Sequence, residues 1–543
     1  MEDLGSAAAA TGGRPAAGAS ADLAAAANAV RSARVVVRNA ASRLAEEGVD
    51  NQQVLAYDVA HAAAAMEAAE AGLAYGSNGP LESDLACAFA ADAIASLAGV
   101  MAGREELWGS GPRPWEEAAP FLRHHRDPAR LAELAEMPGP RHLSPDLQLA
   151  AETFRRFAQD RIAPAAERVH RENADVPEDV VSGLAEMGAF GLSVPERYGG
   201  SATGSGEDQL AMVVATEELS RASLGAGGSL VTRPEIVARA ILDGGTEEQR
   251  LAWLPRLASG EVMAAVAVTE PDHGSDVANL LTSAAAVDGG FLVSGTKTWC
   301  TFAARAELLL VLARTDADRS KGHRGLSLLL VEKPRAPSEG FVLGQGAEGG
   351  RLEGRPIDTL GYRGMHSYEL SFDRWWVPFD NLVGGQGGLG RGFYMQMAGF
   401  ESGRLQTVAR AVGMMQAAYE AALDYARHRV VFGQPVAAYQ LSRVKLGRMA
   451  ATVQVCRQLA YRVARLMAGG GGGLEASMAK AYVCRAAEWV TREAMQLHGG
   501  MGYAEEYPVS RYFVDARVLS IFEGADETLA LRVIARRLAG AAG

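Results

Sequence analysis

Met263-Ala-Ala-Val-Ala-Val-Thr-Glu-Pro-Asp-His-Gly-Ser-Asp276 is where the chain changes its period. Up to about Gly260 the apolar spacing is helical, broken by a turn at Pro195–Gly200. Met263–Thr269 then reads as a β-run, and Pro271 and Gly274 turn it. Further strand-like runs follow at Phe291–Thr301, Leu308–Ala313, Leu326–Val331 and Leu370–Phe372. The first of these opens through Asp288-Gly289-Gly290, a hairpin-type turn. Gly384–Gly392 closes the strand region. Helical spacing returns and runs to the C-terminus, interrupted at Gly469–Gly473 and Gly499-Gly500. Helices, strands, then helices predict an α+β fold. Residues 141–262 form a helical domain, 263–383 a small antiparallel β-barrel and 392–543 a helical bundle.

The front third adds a further helical region. Residues 1–32 are rich in Ala, Gly and Ser and are expected to be a mobile tail. Residues 33–135 read as an extra Ala-rich helical domain, followed by a linker at Pro138–Pro140. Ser144-Pro145-Asp146 then opens a helix with a cap, a first-turn proline and a first-turn acid. Leu81–Phe89 runs parallel to Leu474–Tyr482, and each follows an Ala-rich helix that starts near a glutamine, Gln53 and Gln440. Either two Ala-rich helices look alike by chance, or the front region is a decayed copy of part of the C-terminal bundle with a packing role.

The 543 residues are too many for one core. A net charge of -12 disfavours nucleic acid and anionic membrane surfaces as partners. No uninterrupted run of 18 apolar residues suggests a membrane span, and the acidic N-terminus does not read as a signal peptide. Four widely spaced cysteines argue against a disulfide framework or a metal site and for a cytoplasmic setting.

Three stretches carry chemistry. Val266–Asp276 leaves a strand and presents Thr269, Ser275 and loop amides. Lys297-Thr-Trp-Cys-Thr301 sets Trp299 and Thr301 two apart, on one side of a regular strand, with Cys300 facing the core. An indole beside a hydroxyl suits a flat heteroaromatic ring, although a buried Trp also serves as plain core. In Ile521-Phe-Glu-Gly-Ala525 a lone acid sits among apolar residues, which fits a base with a raised pKa.

In order and spacing these stretches resemble the acyl-CoA dehydrogenase family across roughly 144–543. Arg429-Val-Val-Phe-Gly433 with Gln440, and Gln496-Leu-His-Gly-Gly-Met-Gly-Tyr503, match as well. Within the family the likeness is to the methylsuccinyl-CoA dehydrogenase subgroup. It rests on Trp299–Arg305, Gly361–Tyr368, Gly499–Tyr507 and the extra front region. The resemblance implies FAD held between barrel and bundle, and an acyl-CoA substrate. Val266, Val268, Thr269 and Ser275 would line the flavin, with Ser275 also meeting the pantetheine arm. Trp299 would pack on the ring and Thr301 would bond near its N5. Arg429, Phe432 and Gln440 match positions that reach the FAD of a neighbouring subunit. Gln496, Gly499 and Gly500 match adenylate contacts, and Glu401 and Arg404 match CoA contacts.

Glu523 matches the catalytic base, with Gly524 beside the substrate. Relatives that place the base on the helix near Arg404 have an acid where this chain has Gly403. Ala525 replaces a common Thr, which leaves Glu527 as a polar partner for the cofactor. A dicarboxylic substrate needs a cation: Arg233, in Leu230-Val-Thr-Arg-Pro234, is the first candidate, with Arg305, Arg363 and His366 as competitors. His498 reads as a packing residue.

The implied reaction is methylsuccinyl-CoA to mesaconyl-CoA, with electrons passing to an electron-transferring flavoprotein. An uncharged short acyl substrate, electron transfer to oxygen as in acyl-CoA oxidases, or an assembly role on a retired enzyme fold are the other readings. The family implies a homo-oligomer. A front region that mimics the bundle would cover the surface of a second dimer, so a homodimer is expected.

Overall fold

The computed structural model describes residues 16–111, 115–346 and 349–542. They fall into two units. One comprises the described residues up to 141 with 430–459 and those from 538; the other comprises 142–429 with 460–537.

The first unit is built on α1 (Ala16–Glu47), α2 (Gln53–Gly76) and α3 (Pro80–Met101). α1 begins inside the span expected to be a mobile tail. Ala26, Ala29, Val30, Ala33 and Val37 are all buried. That helical spacing makes one packed face of small residues, which the Ala-rich composition concealed. Residues 1–15 lie outside the described part of the chain. By length and composition α3 is apolar enough to cross a membrane. In this fold its Leu85, Phe89, Ile94 and Leu97 are buried with α1 and α2.

The helix Gln440–Ala468 contributes its first two thirds to the same unit. Gly447 makes a close approach possible, since a Cβ there would fall 2.0 Å from the Leu131 carbonyl oxygen. Arg448 Nε pairs with Asp92 Oδ2 at 2.7 Å. Gln454 Nε2 and Tyr75 Oη both donate to the Pro140 carbonyl, at 2.8 and 3.1 Å. Helix limits coincide in the two similar stretches: one helix starts at Gln53 and another at Gln440, and the next helices start at Pro80 and Gly473, directly before Leu81 and Leu474.

In the second unit, helices α4 (Asp208–Ala222), α5 (Leu230–Gly244) and α6 (Glu247–Ala258) precede an eight-stranded sheet. Its strands are β1 (Ala264–Ala267), β2 (Ser283–Val287), β3 (Gly290–Thr301), β4 (Leu308–Arg314), β5 (Leu326–Glu332), β6 (Phe341–Gly344), β7 (Arg351–Ile357) and β8 (Ser367–Pro378). The order is β1-β4-β2-β3-β8-β7-β6, with β5 on β4. The sheet is mixed rather than antiparallel throughout. β1 runs parallel to β4, Ala264 opposite Leu308, because the chain crosses over through β2 and β3 before β4 instead of turning back in a hairpin. β4 and β5 are buried on both faces. Leu309, Val311, Leu329 and Val331 join one core, and Leu308, Leu310, Leu328 and Leu330 the other. Continuous apolar runs are what such two-sided burial requires.

The C-terminal helices are α7 (Gly392–His428), α8 (Gln440–Ala468), α9 (Gly473–Leu497) and α10 (Pro508–Leu519).

Candidate active site

Glu523 sits in the tight connection after α10. Its backbone is left-handed, φ +55°, and Gly524 follows at φ +100°. A left-handed non-glycine residue costs on the order of 1–3 kcal/mol, and such strain collects at functional sites. The turn aims the carboxylate inward, where the side chain is 5% exposed.

Three helices surround it with cations. Arg233 of α5 donates from Nη2 to Glu523 Oε1 at 2.8 Å. Arg410 of α7, fully buried, places Nη2 3.7 Å from the same oxygen and its guanidinium 4.8 Å from the Phe522 ring centroid. Lys480 of α9 donates to the Gly524 carbonyl at 2.5 Å. On the remaining side α7 carries Gly403, where a Cβ would lie 2.7 Å from Glu523 Oε2. A side chain there would displace the carboxylate. Burial pushes the Glu523 carboxyl up, but Arg233, Arg410 and Lys480 outweigh it and hold it below the ordinary range. The raised pKa expected from its apolar neighbours in sequence is therefore corrected: the cations come from distant segments, Arg233 being 290 residues away.

The sheet supplies a second surface. Thr269 is half-buried, and its carbonyl accepts from the Thr298 amide at 2.8 Å. Trp299 is 57% exposed with φ +59°, whereas Thr301 is buried and bonds Ser367 Oγ at 3.2 Å. Strict alternation would give the two the same exposure. The register shift between Lys297 and Cys300 breaks it. Cys300 is fully buried, as expected. Beneath the loop, Lys297 Nζ bonds Glu270 Oε1 and the Val268 carbonyl, both at 2.9 Å. Glu270 also accepts from the amides of Leu281 and Thr282. Thr528 Oγ1 donates to Ser275 Oγ at 2.9 Å, which ties this loop to the segment after Glu523.

Three family models match the chain: acyl-CoA dehydrogenase N-terminal domain at 144–261, middle domain at 265–375 and C-terminal domain at 390–539. The chain belongs to the acyl-CoA dehydrogenase family. It is thus an oxidoreductase acting on a CH–CH group of an acyl-CoA. Over 436 residues it is 43% identical to (2S)-methylsuccinyl-CoA dehydrogenase of Cereibacter sphaeroides, covering 78% of this chain and 77% of that one. Among solved structures, a glutaryl-coenzyme A dehydrogenase in complex with glutaryl-CoA is 31% identical with TM-score 0.67, covering 74% of this chain and 97% of that one. A glutaryl-CoA dehydrogenase from Mycobacterium smegmatis in complex with FADH2 is 26% identical with TM-score 0.65, covering 76% and 99%.

In this acyl-CoA dehydrogenase, Glu523, Gly524 and Arg233 stand together, as do Thr269 and Trp299 by way of Thr298. The competitors of Arg233 are engaged elsewhere. Arg305 binds the Val176 carbonyl and Glu178, Arg363 the His170 and Thr359 carbonyls, and His366 Asp175. Arg404 donates to Ser477 Oγ at 3.2 Å, and Glu401 lies 3.9 Å from Arg537. Gln496, Gly499, Gly500, Glu527 and Arg429 are exposed. So are Gln440 and Phe432, the latter at 98%. His498 stacks on Tyr425 at 4.2 Å, with Nδ1 against the Ala494 carbonyl, which is a packing position. The sequence reading missed Arg410, Lys480 and the Glu270–Lys297 pair. Arg410 and Lys480 are each a charge inside a largely apolar helical pattern, and that was the available signal.

Proposed function

We propose that this acyl-CoA dehydrogenase desaturates a short dicarboxylic acyl-CoA, methylsuccinyl-CoA to mesaconyl-CoA. The observation that carries this reading is the 2.8 Å contact between Arg233 and Glu523. Glu523 is the base for the α-proton. A cation hydrogen-bonded to that base reaches a substrate carboxylate only one or two carbons from Cα. In a methylsuccinyl group the carboxylate is borne by the β-carbon.

FAD fits the sheet side. Trp299 offers an exposed indole face at the strand end, and Thr269, Ser275, Thr301 and the loop amides are assigned to the same cofactor. Val266 and Val268 stand on the same strand-end run. Bound flavin supplies the acceptor for the β-hydrogen. The chain does the rest. The Glu523 carboxylate takes the α-proton, and Arg233 orients the substrate by a charge-assisted bond. The fixed turn at Glu523–Gly524 aims the Glu523 amide for a thioester oxygen that gains charge. Gln496, Gly499, Gly500 and Glu527 are assigned to the cofactor, Glu401 and Arg404 to CoA. Exposed Arg429, Phe432 and Gln440 are assigned to the cofactor of a second subunit. An electron-transferring flavoprotein is the proposed acceptor.

Arg233→Met should lower the kcat/KM ratio of methylsuccinyl-CoA to butyryl-CoA by about 10²-fold, the scale of a lost buried charge pair. The ratio cancels any effect on the base common to both substrates. An unchanged ratio would remove Arg233 as the reader of the carboxylate and with it the dicarboxylic reading.

We also infer a homodimer. The residues of α8 up to 459 are covered within the chain by the front helices, through Gly447, Arg448 and Gln454. A surface covered in this way is not free for a second dimer. Light scattering should give twice the chain mass; four times would refute the assignment.

A further inference from the structure

Arg233 and Glu523 are nearly solvent-free, with side chains 10% and 5% exposed. Their surroundings divide into fixed and spare groups. Arg410 is committed: Nη1 to Ser229 Oγ at 3.1 Å, Nη2 to Thr407 Oγ1 at 2.7 Å and Nε to the Gln406 carbonyl at 3.3 Å. Lys480 is committed to the Gly524 carbonyl. Arg233 is different. Its side-chain hydrogen bond goes to Glu523, and its Nε is buried without a partner. A guanidinium has five N–H donors, so Arg233 holds unused donors against the base itself. Arg404 Nε is likewise buried without a partner, but Arg233 is the cation whose hydrogen bond goes to Glu523.

We propose that the substrate's own carboxylate takes Arg233 from Glu523, so that the base is released only by a ligand that brings a second anion. This rests on the acyl-CoA reading above and adds to it a substrate-controlled activation of the base. The charged and titratable groups facing Glu523 are Arg233 and Glu235 of α5, Arg404 and Arg410 of α7 and Lys480 of α9. Tyr362, in the loop before β8, faces Arg233 and Arg410. Among them Arg233 alone combines a hydrogen bond to Glu523 with a buried donor that has no partner. An uncharged acyl group leaves the pair closed and Glu523 a weak base. A β-carboxylate takes over the Arg233 hydrogen bond, and Glu523, still buried, gains affinity for a proton. In turnover that proton is the substrate's α-proton. With a ligand that has none to give, it comes from water.

The test uses the FAD-loaded enzyme and two non-reactive CoA thioethers that lack the thioester carbonyl, one carboxypropyl and one butyl. Proton uptake on binding is read by calorimetry in buffers of different ionisation enthalpy. Both ligands carry the same CoA phosphates, so the difference between them reports the acyl end. The carboxypropyl thioether is expected to bind with more proton uptake than the butyl thioether, by an amount that grows as the pH falls below neutral. Glu523→Gln should keep binding and lose the difference. Equal uptake for the two ligands, carboxypropyl binding without uptake, or a difference that persists in Glu523→Gln would overturn the exchange. Binding of neither thioether would remove the acyl-CoA reading and the exchange with it.

Discussion

Glu523→Gln is expected to lower turnover by on the order of 10³–10⁴-fold while FAD content stays at the wild-type level, the upper range for loss of a positioned general base. Gln keeps the shape and can still accept a hydrogen bond from Arg233, so the left-handed turn at Glu523 has no steric reason to change. What is lost is the negative charge that accepts the α-proton. At the position of α7 that faces the carboxylate there is no second acid: Gly403 occupies it, and its missing Cβ is what lets the Glu523 carboxylate lie there. Flavin absorbance and anaerobic single-turnover rates check both halves. Near-normal turnover in the variant would remove Glu523 as the base.

Lys297→Met should give the largest loss of stability, about 3–5 kcal/mol, the cost of leaving one member of a buried pair uncompensated. Lys297 is fully buried and Glu270 is 5% exposed. Met matches the chain length but strands the carboxylate and the Val268 carbonyl. The effect has a pH signature. Burial pushes Glu270 up, while Lys297 and the Thr282 and Leu281 bonds outweigh it, so its carboxyl is held below the ordinary range. A depressed carboxyl contributes stability above its unfolded pKa and loses it as pH falls through the folded value. Without Lys297 that contribution disappears, so the gap between wild type and variant narrows toward acid pH. Denaturant unfolding at neutral and acid pH measures it, and Lys297→Met with Glu270→Gln should recover part of the loss. A gap that widens toward acid pH would contradict the role given to the pair.

The sequence made the helix–strand–helix order legible because periodicity reports burial, and the runs in β4 and β5 are apolar throughout. It also pointed to Glu523, an acid in locally apolar surroundings, and to Trp299, an indole beside hydroxyls. It did not disclose that β1 runs parallel to β4, since pairing direction depends on crossovers rather than on composition. Nor did it reveal the bulge that separates Trp299 from Thr301 in exposure. Above all, the basicity of Glu523 was misread from its neighbours in sequence. Arg233, Arg410 and Lys480 come from three helices and meet only in the folded chain. The first half of α1 was read as a tail for a related reason: a face of alanines gives little hydrophobic contrast.

Anaerobic bleaching of the bound flavin by methylsuccinyl-, butyryl-, isobutyryl- and glutaryl-CoA tests the central claim most directly. Rapid bleaching with methylsuccinyl-CoA and little with the others is the predicted result, since the proposed function has Arg233 bind a β-carboxylate while Glu523 takes the α-proton. Bleaching led by butyryl- or isobutyryl-CoA would contradict the carboxylate-reading role of Arg233, and bleaching by none of the four would contradict the assignment of a short acyl substrate.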